Sequence, residues 1–559
     1  RGSATGTGCP GGSIMARVRT LAIVAVAAAA VAAGVTSAVS GGSDPGRAGP
    51  ATTGAGVAFP LHTSGASIVD SHGHRVKLDM VSWYGAESTG YVVGGLAYQP
   101  ISKIIDRIVS MGFNGVRLPW SNQMWQSDPP VRATYLAANP QFKGERARTI
   151  FEQVTRDLAA AGLMVVLDDH TSNAEWCCSN GDGNTLWYNS SYPQRAWLAD
   201  WKSMAAEFKD VPQVIGVDLR NEPRGTASWG GPAPADWQAA AVAGGDAVQS
   251  VDPHLLIFVE GVANAGDLSG VASLPVDLTV AGHVVYEAHD YGFWQSESDS
   301  YDAWVARIQP KWGYLAGRYP LWVGEFGTCN TSATCVASSS PSLGLWFGYL
   351  TRFLAYHDVN WSYWAVNGTQ SPGRGRTYGV REPYGVFNTA WTGPANPGLL
   401  SALQGIQPAC QPGPLASGTY YIANARTHQV IDIPGFSAAN GAGLDQWPLN
   451  HGANQRWKVT ARGCGLYSIT SVLNGQAMEV AGQSTANGAG VDEWSYWGGG
   501  NQQFIIGCNV TGSCTIASLN SLDDLEVPGS SMKPGTLLDQ WDGNGGTNQE
   551  WRFEKVSSA

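Results

Sequence analysis

One stretch reads Val214-Ile215-Gly216-Val217-Asp218-Leu219-Arg220-Asn221-Glu222-Pro223, a short apolar run that leads into a glutamate. A second run of the same kind is Pro320-Leu321-Trp322-Val323-Gly324-Glu325-Phe326-Gly327. Apolar runs of this length are typical of buried strands. Cleavage of a glycosidic bond needs two carboxyls that flank the bond, and two such strands could point both carboxyls into one cleft. Glu222 and Glu325 are therefore the first candidates for a catalytic pair.

Short apolar runs alternate with longer helical patterns over much of the chain. The runs lie at 76–83, 115–118, 163–168, 214–221, 255–260, 284–289, 321–325 and 359–364. The helical patterns lie at 101–111, 147–161, 197–209, 237–251, 300–318 and 342–357. Eight strands alternating with helices predict an α/β domain at 57–409, a closed parallel (β/α)8 TIM barrel with its active site at the carboxyl ends of the strands.

Composition narrows the class of partner. The chain has 559 residues with 71 Gly, 23 Trp and 14% charged residues, which indicates a globular, loop-rich protein of two domains. A formal net charge of -11, without a basic block beyond the extreme N-terminus, argues against nucleic acid or an anionic membrane as the partner. A neutral carbohydrate polymer or oligosaccharide fits better, because indole rings stack on sugar rings, although Trp also fills cores. We expect a monomer.

The N-terminal region has the pattern of a secretory signal. A basic segment at 15–20 precedes an Ala/Val-rich apolar run at 21–35 and then small residues. This pattern predicts a signal peptide at 15–38 and a secreted, extracellular protein, because the run is short for a membrane span. A membrane anchor is the alternative. Residues 1–14 are interpreted as an upstream leader, and 39–56 as a linker rich in Gly, Ser, Pro and Ala.

Eight of the nine cysteines follow the signal and could pair completely after export. They group as Cys329/Cys335, Cys508/Cys514, Cys177-Cys178 and Cys410/Cys464. The first two groups, each six residues apart, predict local disulfides, whereas the pairing of the others stays open because eight cysteines allow 105 pairings. Zinc held by His170 and the adjacent cysteines is an alternative, disfavoured because neighbouring cysteines cannot easily both reach one tetrahedral metal. We expect no metal and no cofactor.

The barrel motifs resemble glycoside hydrolase family 5, a retaining family of cellulases, mannanases and related β-glycosidases. The resemblance covers roughly 60–408. It depends on motifs such as Gly115-Val116-Arg117-Leu118-Pro119 and Asn221-Glu222-Pro223. The matching residues, in chain order, are Arg117, His170, Asn221, Glu222, His289, Tyr291, Glu325 and Trp364.

This resemblance implies a retaining O-glycosyl hydrolase that works by double displacement. Glu325 would be the nucleophile, its pKa held down by Arg117 and Tyr291. Glu222 would be the acid/base, with a raised pKa that cycles during the reaction. The two carboxyl groups would then lie about 5–5.5 Å apart, the retaining distance.

The other matching residues would bind substrate. Asn221 would contact the sugar 2-hydroxyl, His170 and His289 would orient substrate and carboxylates, and Trp364 would stack on a sugar ring. Glu260 and Glu287 are alternative strand-associated acids without the surrounding signature, and Asp168-Asp169-His170 could instead be a metal cluster.

From about residue 415 the sequence recurs every 47 residues, which predicts an all-β trefoil at 415–557 because one copy is too short to bury its own core. The repeats resemble ricin B-type lectin trefoils, whose Gln-x-Trp signature is present twice and as Gln-x-Phe once, chiefly as core. In such lectins an acid, an aromatic ring and an Asn form a shallow sugar site. The corresponding sets are Asp432, Trp447 and Asn454; Glu479, Trp494 and Asn501; and Glu526, Trp541 and Asn548. Glu in place of Asp weakens the expectation in the second and third repeats.

The sequence therefore predicts a secreted hydrolase of a β-linked polysaccharide or oligosaccharide, with β-glucan as the default substrate, and an appended carbohydrate-binding module. The long loop at 173–188 suggests an alternative, an exo-acting glycosidase on mannan, galactan, furanoside or diglycoside substrates. A non-catalytic carbohydrate-binding protein is a second alternative. Intact Glu222 and Glu325 argue against it.

Overall fold

The structure is a computed structural model. It describes residues 56–294, 300–336, 343–407, 413–463, 465–509 and 512–556. Outside these residues lie the predicted leader (1–14), the signal peptide (15–38), the linker up to residue 55, and the cysteines Cys9, Cys410 and Cys464. Within the described ranges, none of the helices combines the length and apolar character that a membrane span requires.

Eight parallel strands close into a barrel, which confirms the predicted (β/α)8 fold. In chain order they are β1 (Asp79–Ser82), β2 (Gly115–Ser121), β3 (Met164–Thr171), β4 (Val214–Asp218), β5 (Leu256–Glu260), β6 (Val284–His289), β7 (Leu321–Phe326) and β8 (Asn360–Tyr363). Each strand pairs with the next, and β8 pairs with β1. Almost every strand residue is buried, as expected when helices cover the outside of a parallel sheet.

Helices surround the barrel. In chain order they are α1 (Ile101–Ser110), α2 (Asn122–Ser127), α3 (Ala147–Ala160), α4 (Gln194–Phe208), α5 (Trp237–Gln249), α6 (Tyr301–Ile308), α7 (Leu343–Tyr356) and α8 (Pro397–Gln404). In α1 the buried stripe is Ile101, Ile104, Ile105 and Ile108, the spacing of one helical face. The helix predicted at 300–318 ends earlier than expected, because Pro310 cannot continue it.

The C-terminal part is all-β and is consistent with the predicted trefoil. Its strands are β9 (Gly418–Asn424), β10 (Val430–Asp432), β11 (Ala442–Gly443), β12 (Asp445–Trp447), β13 (Trp457–Gly463), β14 (Leu466–Ser471), β15 (Ala477–Val480), β16 (Val491–Trp494), β17 (Phe504–Cys508), β18 (Cys514–Ser518), β19 (Asp524–Glu526), β20 (Thr536–Leu537), β21 (Asp539–Trp541) and β22 (Trp551–Lys555). Trp457, Phe504 and Trp551 are buried, which confirms that the Gln-x-Trp positions form core.

The trefoil packs on α6 and α7 of the barrel. Asn520 accepts a hydrogen bond from the Tyr301 N–H at 3.0 Å through Oδ1, and its carbonyl accepts one from the Tyr349 hydroxyl. The Asp302 carboxylate accepts from the Gly500 N–H at 2.8 Å. Leu519 packs into the hydrophobic core of the barrel. The trefoil is therefore attached to the barrel by packing and hydrogen bonds as well as by the chain connection.

Candidate active site

The two glutamates predicted as catalytic face each other at the carboxyl ends of the strands. Glu325 lies in β7, and Glu222 lies four residues beyond the end of β4. A carboxylate oxygen of each lies within 4.8 Å of one from the other. Both side chains line a cavity of about 320 Å³.

Two hydrogen-bond donors hold Glu325. The Arg117 Nη1 donates to its Oε1 at 2.5 Å, and the Tyr291 hydroxyl donates to its Oε2 at 3.0 Å. Arg117 is buried within 3.6 Å of five carboxylates, which belong to Asp168, Asp218, Glu260, Glu287 and Glu325. Burial alone would lower the pKa of Arg117, but these negative charges raise it well above its ordinary value. Arg117 therefore stays charged beside the Glu325 carboxyl, whereas the lowered pKa of Glu325 stays a prediction.

Glu222 is fixed through both its backbone and its side chain. Its backbone has φ 48°, a left-handed conformation that is costly for a residue with a side chain, and its N–H donates to Glu260 Oε2 at 2.6 Å. The Asn264 Nδ2 donates to its Oε2 at 2.7 Å, and the His289 Nδ1 lies 3.1 Å from its Oε1. These contacts aim the carboxyl into the cavity.

The raised pKa predicted for Glu222 is wrong for the protein without substrate. Burial raises this pKa, but the hydrogen bond and positive charge of His289, together with the Asn264 amide, lower it by more. Burial likewise lowers the pKa of His289, yet the charges of Glu260 and Glu325 and the hydrogen bond to Glu222 raise it well above its ordinary value. His289 lies one hydrogen bond away from Glu222, close enough to exchange a proton with it.

The structure brings together all eight residues predicted from the barrel motifs. His170, Tyr291 and Trp364 line the cavity with the two glutamates. Arg117, Asn221 and His289 are buried beneath them. Arg117 contacts Glu325, and His289 contacts Glu222. Their individual roles toward substrate stay predictions.

Two of these residues have surroundings that the sequence did not predict. The Asn221 Nδ2, expected at a sugar hydroxyl, faces the sulfurs of Cys177 and Cys178 at 3.3 Å each. Trp364 is only 6% exposed, because Tyr84 and His170 lie nearly parallel to its ring at 5.2 and 5.3 Å between centroids. Sugar stacking on Trp364 is therefore limited to the small part of the ring that the cavity reaches.

Several lining residues were not predicted as site residues. They are Trp176, Cys177, Cys178, Asn264, Phe293, Arg376, Glu382 and Tyr384. All lie in loops after barrel strands, and their positions depend on how those loops fold against each other. Only the Cys-Cys pair and the length of the loop around it gave a sequence signal.

The geometry argues against the alternative interpretations of the acids and of the adjacent cysteines. Glu260 and Glu287 are fully buried and do not line the cavity, so they are poor candidates for the catalytic pair. Asp168 binds Arg117 and accepts from His170 Nδ1 at 2.7 Å, which makes it part of a hydrogen-bonded barrel interior. Cys177 and Cys178 are joined to each other, so neither sulfur offers zinc a free thiolate. The predicted disulfides Cys329–Cys335 and Cys508–Cys514 are confirmed.

Three buried acids should make the stability of the fold depend on pH. Burial, only partly opposed by Arg117, raises the pKa of Asp168, Asp218 and Glu287 to about 7. The folded protein then keeps protons that the unfolded chain releases from about pH 4 upward, so stability falls as the pH rises from about 4 to about 7. We expect Glu287→Gln, which imitates the protonated acid, to flatten this fall by up to about 1.4 kcal/mol per pH unit.

Urea unfolding at several pH values measures this slope, with the exposed Glu145→Gln as a control that should leave it unchanged. An unaltered slope in Glu287→Gln would show that this acid is ionised in the folded protein.

The three trefoil sites share one arrangement of side chains. Their indoles, on Trp447, Trp494 and Trp541, are 44%, 42% and 43% exposed. In the first and third repeats the Asn side chain donates to the early acid, at 2.6 Å for Asn454 to Asp432 and 3.0 Å for Asn548 to Glu526. In the second repeat Glu479 accepts from Asn501 as well as from Gln502. All three repeats thus join the early acid to the Asn.

Comparison with known proteins fits this geometry. Residues 69–370 match the family described as cellulase (glycosyl hydrolase family 5), over more than half of the chain. The chain belongs to glycosyl hydrolase family 5. Residues 411–494 and 500–559 match the ricin-type beta-trefoil lectin domain-like family. Both resemblances predicted from the motifs are confirmed, and the protein is a glycoside hydrolase with a carbohydrate-binding domain.

Individual relatives of this family 5 enzyme are endoglucanases by name. It is 34% identical over 339 residues to an endoglucanase of Paenibacillus polymyxa, covering 57% of this chain and 81% of that one. It is 32% identical over 347 residues to the major extracellular endoglucanase of Xanthomonas campestris pv. campestris, covering 58% and 68%. The solved catalytic domain of the Xanthomonas enzyme superposes with a TM-score of 0.54 at 28% identity, covering 62% of this chain and 98% of that domain.

Proposed function

We propose that this protein is an exported, retaining β-glucan hydrolase in which Glu325 is the nucleophile and Glu222 the acid/base. The observation that carries this proposal is the gap between the two glutamates, whose nearest oxygens lie within 4.8 Å. Retaining glycosidases place their carboxyls about 5–5.5 Å apart, whereas inverting enzymes need about 6.5–9.5 Å to admit a water. The names of the related endoglucanases support β-glucan as the substrate class.

The geometry accounts for both steps of a double displacement. Glu325, whose carboxylate accepts hydrogen bonds from Arg117 and Tyr291, attacks the anomeric carbon while Glu222 protonates the leaving oxygen. The bond to the leaving sugar breaks as an ester between Glu325 and the anomeric carbon forms. Glu222, now a carboxylate, takes a proton from water, which attacks the same carbon and releases Glu325. The hydrogen bond from His289 to Glu222 provides a route for its proton in each direction.

Export and polysaccharide attachment complete the proposal. The basic segment and apolar run at 15–35 support export through a signal peptide. The exposed indoles of the trefoil support attachment to polysaccharide, because an aromatic face stacks on sugar rings. The trefoil would then keep the barrel near its substrate.

The stereochemistry of the product tests the mechanism. We expect a β-cellobioside with an aryl leaving group to release β-cellobiose first, which mutarotates only afterwards, and proton NMR during the first minutes distinguishes the anomers. Initial release of the α-anomer would contradict the retaining mechanism. A screen of cellulose, mixed-linkage glucan, mannan and galactan tests the substrate class. Inactivity on all of them would favour the non-catalytic binding protein instead.

A further inference from the structure

Two active-site loops from non-adjacent strands meet above the barrel. The β3 loop comprises residues 172–193, between β3 and α4, and the β8 loop comprises residues 364–396, between β8 and α8. In the closed barrel, β1 and β2 stand between these strands. A contact between the two loops therefore spans the mouth of the barrel above four consecutive strands.

The contact is made by five residues, which we call the loop bridge: Glu175, Trp176, Gly373, Arg374 and Arg376. Glu175 Oε1 accepts from the Arg374 N–H at 2.5 Å. The Arg376 guanidinium lies 3.8 Å from the centre of the Trp176 ring, within cation–π distance. The Gly373 backbone approaches so closely that a Cβ there would lie 2.8 Å from the Trp176 Cβ. A hydrogen bond to a carboxylate, a cation–π contact and close backbone packing thus join the two loops.

The loop bridge is anchored to the barrel beneath it. The Arg376 Nη2 pairs with the Glu382 carboxylate and donates to the Tyr84 hydroxyl at 3.0 Å. Tyr84, which follows β1, also donates to Glu382, and its ring packs against Trp176 at 5.3 Å. Tyr84 is therefore a common anchor, bonded to Arg376 of the β8 loop and packed on Trp176 of the β3 loop.

The position of the catalytic pair shows which end of the cleft the loop bridge closes. An acid catalyst donates to the leaving oxygen, so the leaving sugar must lie beside Glu222 and Asn264, above β4 and β5. The sugar that becomes attached to Glu325 then lies on the other side, toward Trp364 above β8. The loop bridge lies on that side, because the Trp176 ring is 6.2 Å from the Trp364 ring between centroids.

The closed end carries polar groups suited to a chain terminus. Trp176, Arg376 and Glu382 line the same cavity as the catalytic glutamates. Its volume of about 320 Å³ is at the low end of the roughly 300–1,000 Å³ typical of small-molecule sites. A guanidinium and a carboxylate at a blocked end can bind the hydroxyls that only a terminal sugar presents. If an internal sugar occupied this position, the next sugar of the chain would clash with the loop bridge.

We propose that the loop bridge makes this enzyme recognise the non-reducing end of a β-glucan chain and release short saccharides of fixed length. The inference rests on the proposed function, because it needs Glu222 and Glu325 in the roles given there. It differs from the internal cleavage that the names of its relatives imply.

A chain-end block tests the proposal. The substrates are a β-glucan hexasaccharide with a fluorescent label at its reducing end, and the same compound with an acetal on the terminal 4- and 6-hydroxyls of the non-reducing end. We expect one labelled product length early in the reaction. Cleavage of the blocked compound should be at least about tenfold slower, because the acetal adds bulk at a buried site and removes hydroxyls that would form hydrogen bonds there. Trp176→Ala should restore cleavage of the blocked compound. Tyr378→Ala, on the β8 loop but packed on Tyr135 outside the loop bridge, is the control and should behave as wild type.

The outcomes separate the two proposals. Equal cleavage of both compounds by the wild type, with mixed product lengths, would overturn the chain-end inference and leave the hydrolase proposal intact. Failure to cleave either compound or any polymeric β-glucan would overturn the proposed function and this inference with it. The wild-type result decides the question even if Trp176→Ala does not fold.

Discussion

Glu325→Gln is expected to lower kcat on an aryl β-glycoside by at least about 10⁴-fold, because an amide cannot form the ester with the anomeric carbon. The substitution keeps the shape of the side chain. Its one amide oxygen can still accept from Arg117, and its NH2 group can donate to the Tyr291 hydroxyl oxygen. Substrate binding should change much less than kcat. The loss should therefore appear in single-turnover rates measured at saturating substrate.

Glu145→Gln, on the exposed surface, is the matched control and should retain wild-type kcat. Thermal unfolding of both variants separates a chemical defect from a folding defect. A Glu325→Gln protein that is folded and turns over at the wild-type rate would mean that another group is the nucleophile.

The barrel and its central residues could be predicted because their signals are local. Each strand is a short apolar run, and residues such as Arg117, His170 and Glu325 lie within such runs or directly after them. In a closed parallel barrel the carboxyl ends of all strands meet at one rim, so the fold itself gathers these side chains. No knowledge of the loops is needed for that step.

The loops required the structure. Asn264 reaches Glu222 from a turn whose three residues, 263–265, have φ between 56° and 60°. Arg376 and Trp176 meet although 200 positions separate them in the sequence. The length of the loop around Trp176 was a signal, but nothing in the sequence indicated Arg376 as its partner. Contacts of this kind depend on the way in which two long loops fold against one another. The pattern of a single sequence does not encode that arrangement.

The pKa of Glu222 was mispredicted for a related reason. Its role as an acid implied a raised value, but His289, 67 residues away, donates to it and carries the positive charge that lowers it. A sugar that displaces water from the cavity would weaken the ionised form of Glu222 and move the proton toward it.

The trefoil could be predicted further than the loops. The 47-residue interval predicted the architecture and the core positions, which depend only on the repeat. The early acid of each repeat contacts both the Asn and the core Gln, in the repeats with Glu479 and Glu526 as well as in the repeat with the shorter Asp432. The same spacing therefore places the same polar contacts in every repeat.

Glu222→Ala should separate the two catalytic steps. With a dinitrophenyl β-glycoside, whose leaving group needs no proton, the ester on Glu325 should still form, but its hydrolysis should slow by about 10²–10⁴-fold without the general base. The space left by the side chain lies beside Asn264 and His289, large enough for a small anion. Added azide should therefore attack the ester from that side, restore turnover and give a β-glycosyl azide. The matched variant Glu325→Ala, if azide rescues it, should give the α-glycosyl azide, because azide then attacks from the opposite face. The same azide anomer from both variants would show that the two glutamates do not stand on opposite faces of the sugar.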